Sequence, residues 1–252
     1  MTTNIALITG ATSGIGKATA IHLAKAGYNL IICGRRSDRL ITVSDELSAI
    51  GAKVLVKVVD LRNKIDVETF ISSLPPEWKK IDVLVNNAGL AAGLSSFADG
   101  DLEDWDEMID TNIKGLLYIS RQIMPLMVEN SKGHIINIGS IAGKEIYPNG
   151  NVYCGTKHAV DALTKSMRRE LAEYNIRVTG IHPGAVETEF SLVRFKGDVE
   201  RASKVYEGFE NLVADDIAEA IVWCISRPSH VNINDLVIMP TAQPAAGFIL
   251  RK

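Results

Sequence analysis

The chain reads as an α/β protein built on one doubly wound, seven-stranded parallel sheet. Three features point to it. Short, continuous apolar runs recur along the chain, as in strands buried on both faces. Helical patterns separate those runs throughout, as parallel crossovers require. The first run ends in a glycine-rich turn that opens directly into a helix. No repeat or low-complexity linker divides the 252 residues, so residues 1–252 are expected to form a single domain.

The first strand covers residues 5–8. It feeds Thr9-Gly10-Ala11-Thr12-Ser13-Gly14-Ile15-Gly16, and a helical pattern continues to Ala26, with Gly27 as its C-cap. Glycines let the backbone turn tightly and approach a ligand closely, and a helix N-terminus offers free N–H groups to an anion. Thr9, Gly10, Ser13, Gly14, Ile15 and Gly16 therefore form a candidate diphosphate cradle of a Rossmann fold, with G-x-x-x-G-x-G spacing. The second strand, residues 29–33, ends in Gly34-Arg35-Arg36. A cofactor without a 2′-phosphate is read at this place by an acidic side chain. Two guanidinium forks suit a phosphate instead and predict NADP(H); the alternative is a pair of surface arginines facing water.

The third strand, residues 53–59, delivers Asp60 and Leu61 towards an adenine, though Asp60 could equally cap the next helix. The fourth, residues 81–85, ends in Asn86-Asn87-Ala88-Gly89. Small residues there admit a flat cofactor, and the asparagines can stiffen the turn. After a loop at 90–101, a helix is expected over 102–129 with Asn112 inside it, a residue that calls for a reason in mid-helix. The fifth strand, residues 134–138, brings Ser140 to its end.

A helix over 151–174 then carries Tyr153 and Lys157 on one face at i and i+4. A neighbouring ammonium favours a phenolate. Bringing a tyrosine from about 10 towards neutrality takes roughly 4 kcal/mol, which a buried cation at about 4 Å can supply. The sixth strand, residues 176–181, leads to Pro183, Gly184, Val186 and Thr188, then to an uneven polar stretch at 189–208 read as a lid. A helix over 215–226, a seventh strand at 236–239 and a tail at 240–252 complete the chain. Phe248, Ile249 and Leu250 suggest that the tail docks on a neighbour; a frayed end is the alternative.

Composition narrows the function. A net charge of −3 gives no basic surface for nucleic acid or an anionic membrane. No apolar stretch approaches the ~20 residues of a membrane span. Three scattered cysteines without a CxxC, and no HExxH, predict neither a disulfide framework nor a metal site. No leader is read at the start, and the expected location is cytoplasmic.

Taken in order, Thr9-Gly10-x-x-x-Gly14-x-Gly16, Asn86-Asn87-Ala88-Gly89, Asn112, Ser140, Tyr153-x-x-x-Lys157 and Pro183-Gly184 with Thr188 resemble the short-chain dehydrogenase/reductase family over essentially the whole chain. The resemblance implies a catalytic set of Asn112, Ser140, Tyr153 and Lys157. Tyr153 would be the acid/base, Ser140 would bond the substrate oxygen, and Lys157 would hold the nicotinamide ribose and lower the Tyr153 pKa. Asn112 would position a water in the proton path. Cofactor contacts would come from the glycine turn, Asp60, Leu61, Asn87, Ala88, Gly89, Pro183, Gly184, Val186 and Thr188, the last at the carboxamide. It also implies a homotetramer built on the helices at 102–129 and 151–174.

Residues 187–198, 215–218 and 228–243 are similar to a narrower subgroup, the NADP-dependent 3-hydroxy acid (L-serine/L-allo-threonine) dehydrogenases. An anionic substrate needs a cation, for which Arg194 and Lys196 are the candidates; solvated lid charges are the alternative. Glu145 and Tyr147 are placed in the substrate pocket by chain position. The expected activity is therefore NADP(H)-dependent interconversion of a small 3-hydroxy acid and its oxo form. The alternative is reduction of another small carbonyl compound, such as sulfoacetaldehyde or a diketone.

Overall fold

In the computed structural model, which describes residues 4–252, seven parallel strands form the central sheet. Met1, Thr2 and Thr3, on which the reading of no leader partly rests, lie outside the described residues. The strands are β1 (Ile5–Thr9), β2 (Asn29–Gly34), β3 (Val54–Val58), β4 (Ile81–Asn86), β5 (Gly133–Ile138), β6 (Ile176–Pro183) and, after the two-residue strands β7 (Val186–Glu187) and β8 (Leu212–Val213), β9 (Asp235–Ile238). Their spatial order is β3-β2-β1-β4-β5-β6-β9. The chain winds outward from β1 to β3 and returns to place β4 on the other side of β1. That reversal opens a crevice at the carboxyl ends of β1 and β4, where open α/β sheets bind ligands.

The inner strands are covered on both faces, which is why their sequences are largely apolar. β1 is buried along its whole length. Its Leu7 faces one core with helices α3 (Lys64–Ser72), α5 (Leu116–Asn130) and α6 (Asn151–Leu171). Its Ala6 and Ile8 face the other with α1 (Gly14–Lys25), α2 (Ser37–Ala49) and α9 (Ala214–Ile225). Neighbouring residues of a strand serve opposite cores, the period-two geometry of a pleated chain.

Several elements differ from the sequence reading. The helix expected over 102–129 is α4 (Leu102–Ile109), a π-helical turn (Asp110–Gly115) and α5. The π turn contains Asn112, and its side chain is the reason it sits there. Oδ1 accepts from Leu90 N–H at 2.8 Å, while Nδ2 donates to Leu90 C=O at 2.8 Å and to Thr156 Oγ1 at 3.0 Å. Asn63, not Asp60, caps α3, accepting from Ile65 and Asp66 N–H. The stretch at 189–208 holds two short helices, α7 (Phe190–Arg194) and α8 (Val199–Lys204).

Candidate active site

A single cavity of about 690 Å³ runs along the carboxyl edge of the sheet, from Arg35 and Arg36 at one end to Ser140, Tyr147, Tyr153 and Arg194 at the other. Its floor at the first end is the glycine turn. Gly10 and Gly14 have φ of +64° and +52°, a region costly for other residues. A Cβ on Gly10 would stand 3.0 Å from Ala88 Cα, and one on Gly14 would stand 3.3 Å from Thr188 Cγ2. The channel between the turn and Thr188 is thus only as wide as glycine permits. Ser13, Gly14, Ile15, Asp60, Leu61, Asn87, Ala88, Gly89, Pro183, Gly184, Val186 and Thr188 all line it.

Thr9 and Gly16, expected in the cradle, stand behind the wall. Thr9 Oγ1 accepts from the N–H groups of Asn87 and Ala88, both at 3.0 Å, and ties β1 to the end of β4. A Cβ on Gly16 would collide with Asn87 Nδ2 and the Gly10 carbonyl, so its glycine serves close packing of turn against strand. Asn112 is also off the wall. Both of its amide protons are spent on Leu90 and Thr156, so the water-positioning role implied by the resemblance falls outside its side-chain donors.

Four arginines gather at the far end. Arg35 and Arg36 line the cavity, and Arg36 donates to Thr12 Oγ1, Ser13 Oγ and Glu189 Oε2. Arg39 holds Glu189 at 2.6 Å. Arg62, unnoticed in the sequence, lines the cavity and grips Asp60 at 2.6 Å, holding that carboxyl below its usual range. A rule asking for cations at the ends of both β2 and β3 would have found it. Such a set of planar forks suits a 2′-phosphate.

At the other end, β5 delivers Ser140, whose Oγ accepts from Ala142 N–H at 3.0 Å. The first turn of α6 delivers Tyr153, and its second brings Lys157 beneath it. Both are buried. Lys157 Nζ donates to the Ile138 carbonyl at 2.9 Å and lies 5.9 Å from the Tyr153 ring centre. The expected lowering of the Tyr153 pKa by Lys157 is not what this arrangement gives. Burial pushes the phenol up and Tyr147 adds to it, while the Ser140 hydroxyl and the Arg194 guanidinium pull it down by less. Burial also lowers Lys157 to about 8. Tyr153 is thus a neutral phenol near pH 7, the form that can give a proton.

Arg194, at the end of α7, reaches over Tyr147 and Tyr153, its Cζ 5.5 and 5.6 Å from the two ring centres. Gly93 locks it twice: Nε donates to Gly93 C=O at 3.1 Å, and Gly93 N–H donates to Arg194 C=O at 3.0 Å. It pairs with no carboxylate among the described residues. Lys196, the other expected cation, is spent on Asp104 at 2.8 Å and Asp101 at 3.3 Å and does not line the cavity. Glu145, expected beside Tyr147, is likewise absent from the wall and accepts Ala246 N–H instead. Phe190, which the sequence did not single out, meets the Tyr153 ring edge-on at 5.6 Å.

One group away from the cavity has metal-ligand chemistry: Asp161, His182 and Asp235 offer atoms within 4.8 Å of one another. Lys144 fills the cationic place, 2.6 Å from Asp161 and 3.5 Å from Asp235.

A model of the short chain dehydrogenase family matches residues 4–197. The chain belongs to the short chain dehydrogenase family. It is 48% identical over 249 residues to the NADP-dependent 3-hydroxy acid dehydrogenase YdfG of Salmonella typhi, covering 98% of this chain and 99% of that protein. It is 43% identical over 246 residues to sulfoacetaldehyde reductase 2 of Chromohalobacter salexigens, covering 97% of each. Among solved structures, the closed form of serine dehydrogenase complexed with NADP⁺ superposes with a TM-score of 0.93 at 45% identity, over 98% of this chain and 99% of that one. This short chain dehydrogenase is an NADP-dependent oxidoreductase. Its cavity fits that cofactor: a glycine-narrowed channel leads from the arginine cluster to Tyr153 and Lys157. No helix among the described residues is long and apolar enough to cross a membrane.

Proposed function

We propose that the enzyme interconverts a small 3-hydroxy acid, of the serine or 3-hydroxypropionate type, and its oxo form, with Tyr153 as the acid/base. Arg194 carries this reading: a half-buried guanidinium beside the Tyr153 ring, held by a carbonyl and two aromatic faces, is available to an anion on the substrate. A neutral diketone has no use for such a group. A sulfonate does, and the likeness to a sulfoacetaldehyde reductase supports it as a second reading.

When bound, NADPH supplies the hydride for carbonyl reduction. The rest falls to the chain. Ser140 Oγ hydrogen-bonds the carbonyl oxygen and fixes its position. Tyr153, neutral by burial, gives its phenolic proton to the oxygen as the alcohol forms. The phenolate left behind is stabilised by the Ser140 hydroxyl and by Arg194. Oxidation runs the same proton path backwards, with the phenolate as base. Asn112 acts by position: it fixes Leu90 over the site and Thr156 in the turn between Tyr153 and Lys157. Arg35, Arg36 and Arg62 read the 2′-phosphate, and Tyr147 lines the substrate end.

A homotetramer formed across α4–α5 and α6 belongs to the same reading, as does a cytoplasmic location. Cys33, Cys154 and Cys224, all buried and unpaired, fit a reducing compartment. Sedimentation of the purified protein tests the tetramer.

The activity is tested by NADP⁺ reduction on L-serine, L-allo-threonine, 3-hydroxypropionate, 3-hydroxyisobutyrate and isethionate, with NAD⁺ as control. Turnover of the carboxylates with NADP⁺ alone supports the proposal. A clear preference for isethionate selects the sulfonate reading, and no turnover of any anion defeats both.

A further inference from the structure

Behind the wall that carries Ser140 lies a cluster of charged side chains. Lys144, Asp161, His182 and Asp235 meet there, and none of them lines the cavity. They come from four elements that also shape the site. Lys144 follows the 3₁₀ turn Ile141–Gly143, which Ser140 opens. Asp161 stands on α6 eight residues after Tyr153 and four after Lys157, so the three share one helix face. All three are buried. His182 sits in β6, next to Pro183 and Gly184 of the cofactor channel, and Asp235 opens β9.

The cluster grips the Ser140 turn from two sides. On one, His182 is slotted between Gly139 and Gly180, where a Cβ on either glycine would press on its ring. Gly139 is the residue before Ser140. His182 Nε2 lies 3.1 Å from Asp235 Oδ1, which fixes the ring in its slot. On the other side, a Cβ on Gly143 would stand 2.6 Å from the Lys157 carbonyl oxygen, so the turn lies directly against α6. Lys144 then reaches one helical turn further, to 2.6 Å from Asp161 Oδ1 and 3.5 Å from Asp235 Oδ2. Asp235 is thus common to both grips.

Asp161 has a second lysine. Lys165 also stands 2.6 Å from it, at the other oxygen. The two ion pairs are equal in length and differ in what they join. Lys165 lies four residues on and ties α6 to itself. Lys144 ties the turn after Ser140 to the helix of Tyr153. Its side chain is also the better shielded, 23% exposed against 55%, and a shielded pair is screened less.

We propose that Lys144 is a positioning residue for the reaction. Its ammonium, held by Asp161 and Asp235, sets the gap between the Ser140 hydroxyl and the Tyr153 phenol, the two groups that meet the substrate oxygen. This role rests on those given to Ser140 and Tyr153 above. Lys144 itself touches no reacting atom. The oxygen is common to every substrate, so loss of Lys144 should cost a charged and a neutral substrate alike.

The test is a double-mutant cycle of Lys144→Met with Ser140→Ala, with Lys144→Gln, Lys144→Arg and Lys165→Met alongside. Substrates are 3-hydroxypropionate with NADP⁺ and propanal with NADPH. Lys144→Met should lower kcat about tenfold or more on both, with KM within about threefold, since a misplacement of about 1 Å costs up to about a hundredfold. Asp161 keeps Lys165 and Asp235 keeps His182, so the variant should bind NADPH as the parent does in a fluorescence titration. Lys144→Arg should restore most of the rate, and Lys165→Met should stay within about twofold of the parent. Ser140→Ala should lower kcat about a hundredfold, and adding Lys144→Met to it should cost less than about twofold more. Additive losses in the cycle, an equal loss in Lys165→Met, or no loss in Lys144→Met would overturn the proposal. Loss of NADPH binding by both Lys144→Met and Lys144→Gln would make Lys144 a residue of the fold and overturn it too. Unchanged kcat in Ser140→Ala is a different failure: it removes the role of Ser140, and Lys144 then has nothing to position.

Discussion

Arg36 and Arg194 sit at opposite ends of one cavity and are held in opposite ways. Arg36 is saturated by partners: two hydroxyls from the glycine turn and the carboxylate of Glu189, which it shares with Arg39. Arg194 has a carbonyl and two ring faces, and no carboxylate among the described residues. A guanidinium that already has an anion must exchange or share it when a ligand arrives. One without an anion gains its first on binding. The cofactor end is therefore built for a ligand held among many contacts, the substrate end for one small anion.

The comparison is broken most severely at the chemistry between the two arginines. Tyr153→Phe should lower kcat by about 10²–10⁴-fold, the usual worth of a positioned proton donor. NADPH affinity, read by fluorescence titration, should stay close to the parent. Arg36→Ala should weaken NADPH about ten- to a hundredfold and NADH far less, the loss of a charge-assisted phosphate contact. Equal effects on the two cofactors would remove the 2′-phosphate assignment. At the small end, Glu189→Gln frees Arg36 and Arg39 and should tighten NADPH by about two- to fivefold, the scale of one exposed ion pair. An unchanged or weaker NADPH affinity would mean that Glu189 aligns the arginines and does not compete for them.

Buried charge yields two further expectations. Lys157 is lowered to about 8 by burial, against 10.5 in the unfolded chain. The folded state thus binds fewer protons between those values, and stability rises with pH across that window. Below pH 8 the ammonium is a net burden, so Lys157→Met should gain about 1–3 kcal/mol at pH 7 while losing activity. Thermal melts at pH 7 and pH 10 check this, with the gain shrinking at the higher pH. For Tyr153 the raised pKa fixes the sign of the rate profile. Its acid form persists through neutral and mildly alkaline pH, so reduction should not decline there on its account. Oxidation needs the phenolate and should keep rising with pH. Stopped-flow rates of the two half-profiles test it.

What the sequence made legible follows the same division. The cofactor end is local: Gly10, Gly14, Thr188 and the double arginine follow strand ends in order, and strand ends are what apolar runs mark. Even there, residues 37–49 went unassigned, although Leu40, Val43 and Leu47 repeat at helical spacing and are buried in α2. The role of Asn112 in its π turn could not be read, because its partner Leu90 lies 22 residues away. At the substrate end, the contacts that decide each role span about 100 residues. Glu145 meets Ala246 and Arg194 meets Gly93, each 101 positions apart. Chain position alone put Glu145 in the pocket, and only the fold shows that it faces the tail. Lys196 and Arg194 look equivalent two residues apart, yet Asp101 and Asp104 neutralise only the first. The Tyr153–Lys157 spacing was correct in geometry and misleading in electrostatics, since burial outweighs a cation whose ammonium points to Ile138.

The most direct test is a matched pair of substrates on one substitution: 3-oxopropionate and propanal, reduced with NADPH by the parent enzyme and by Arg194→Leu. The account requires kcat/KM for 3-oxopropionate to fall about a hundredfold, the worth of one charge-assisted contact, while propanal changes by less than about threefold. Equal losses on both substrates, or none on either, would contradict it.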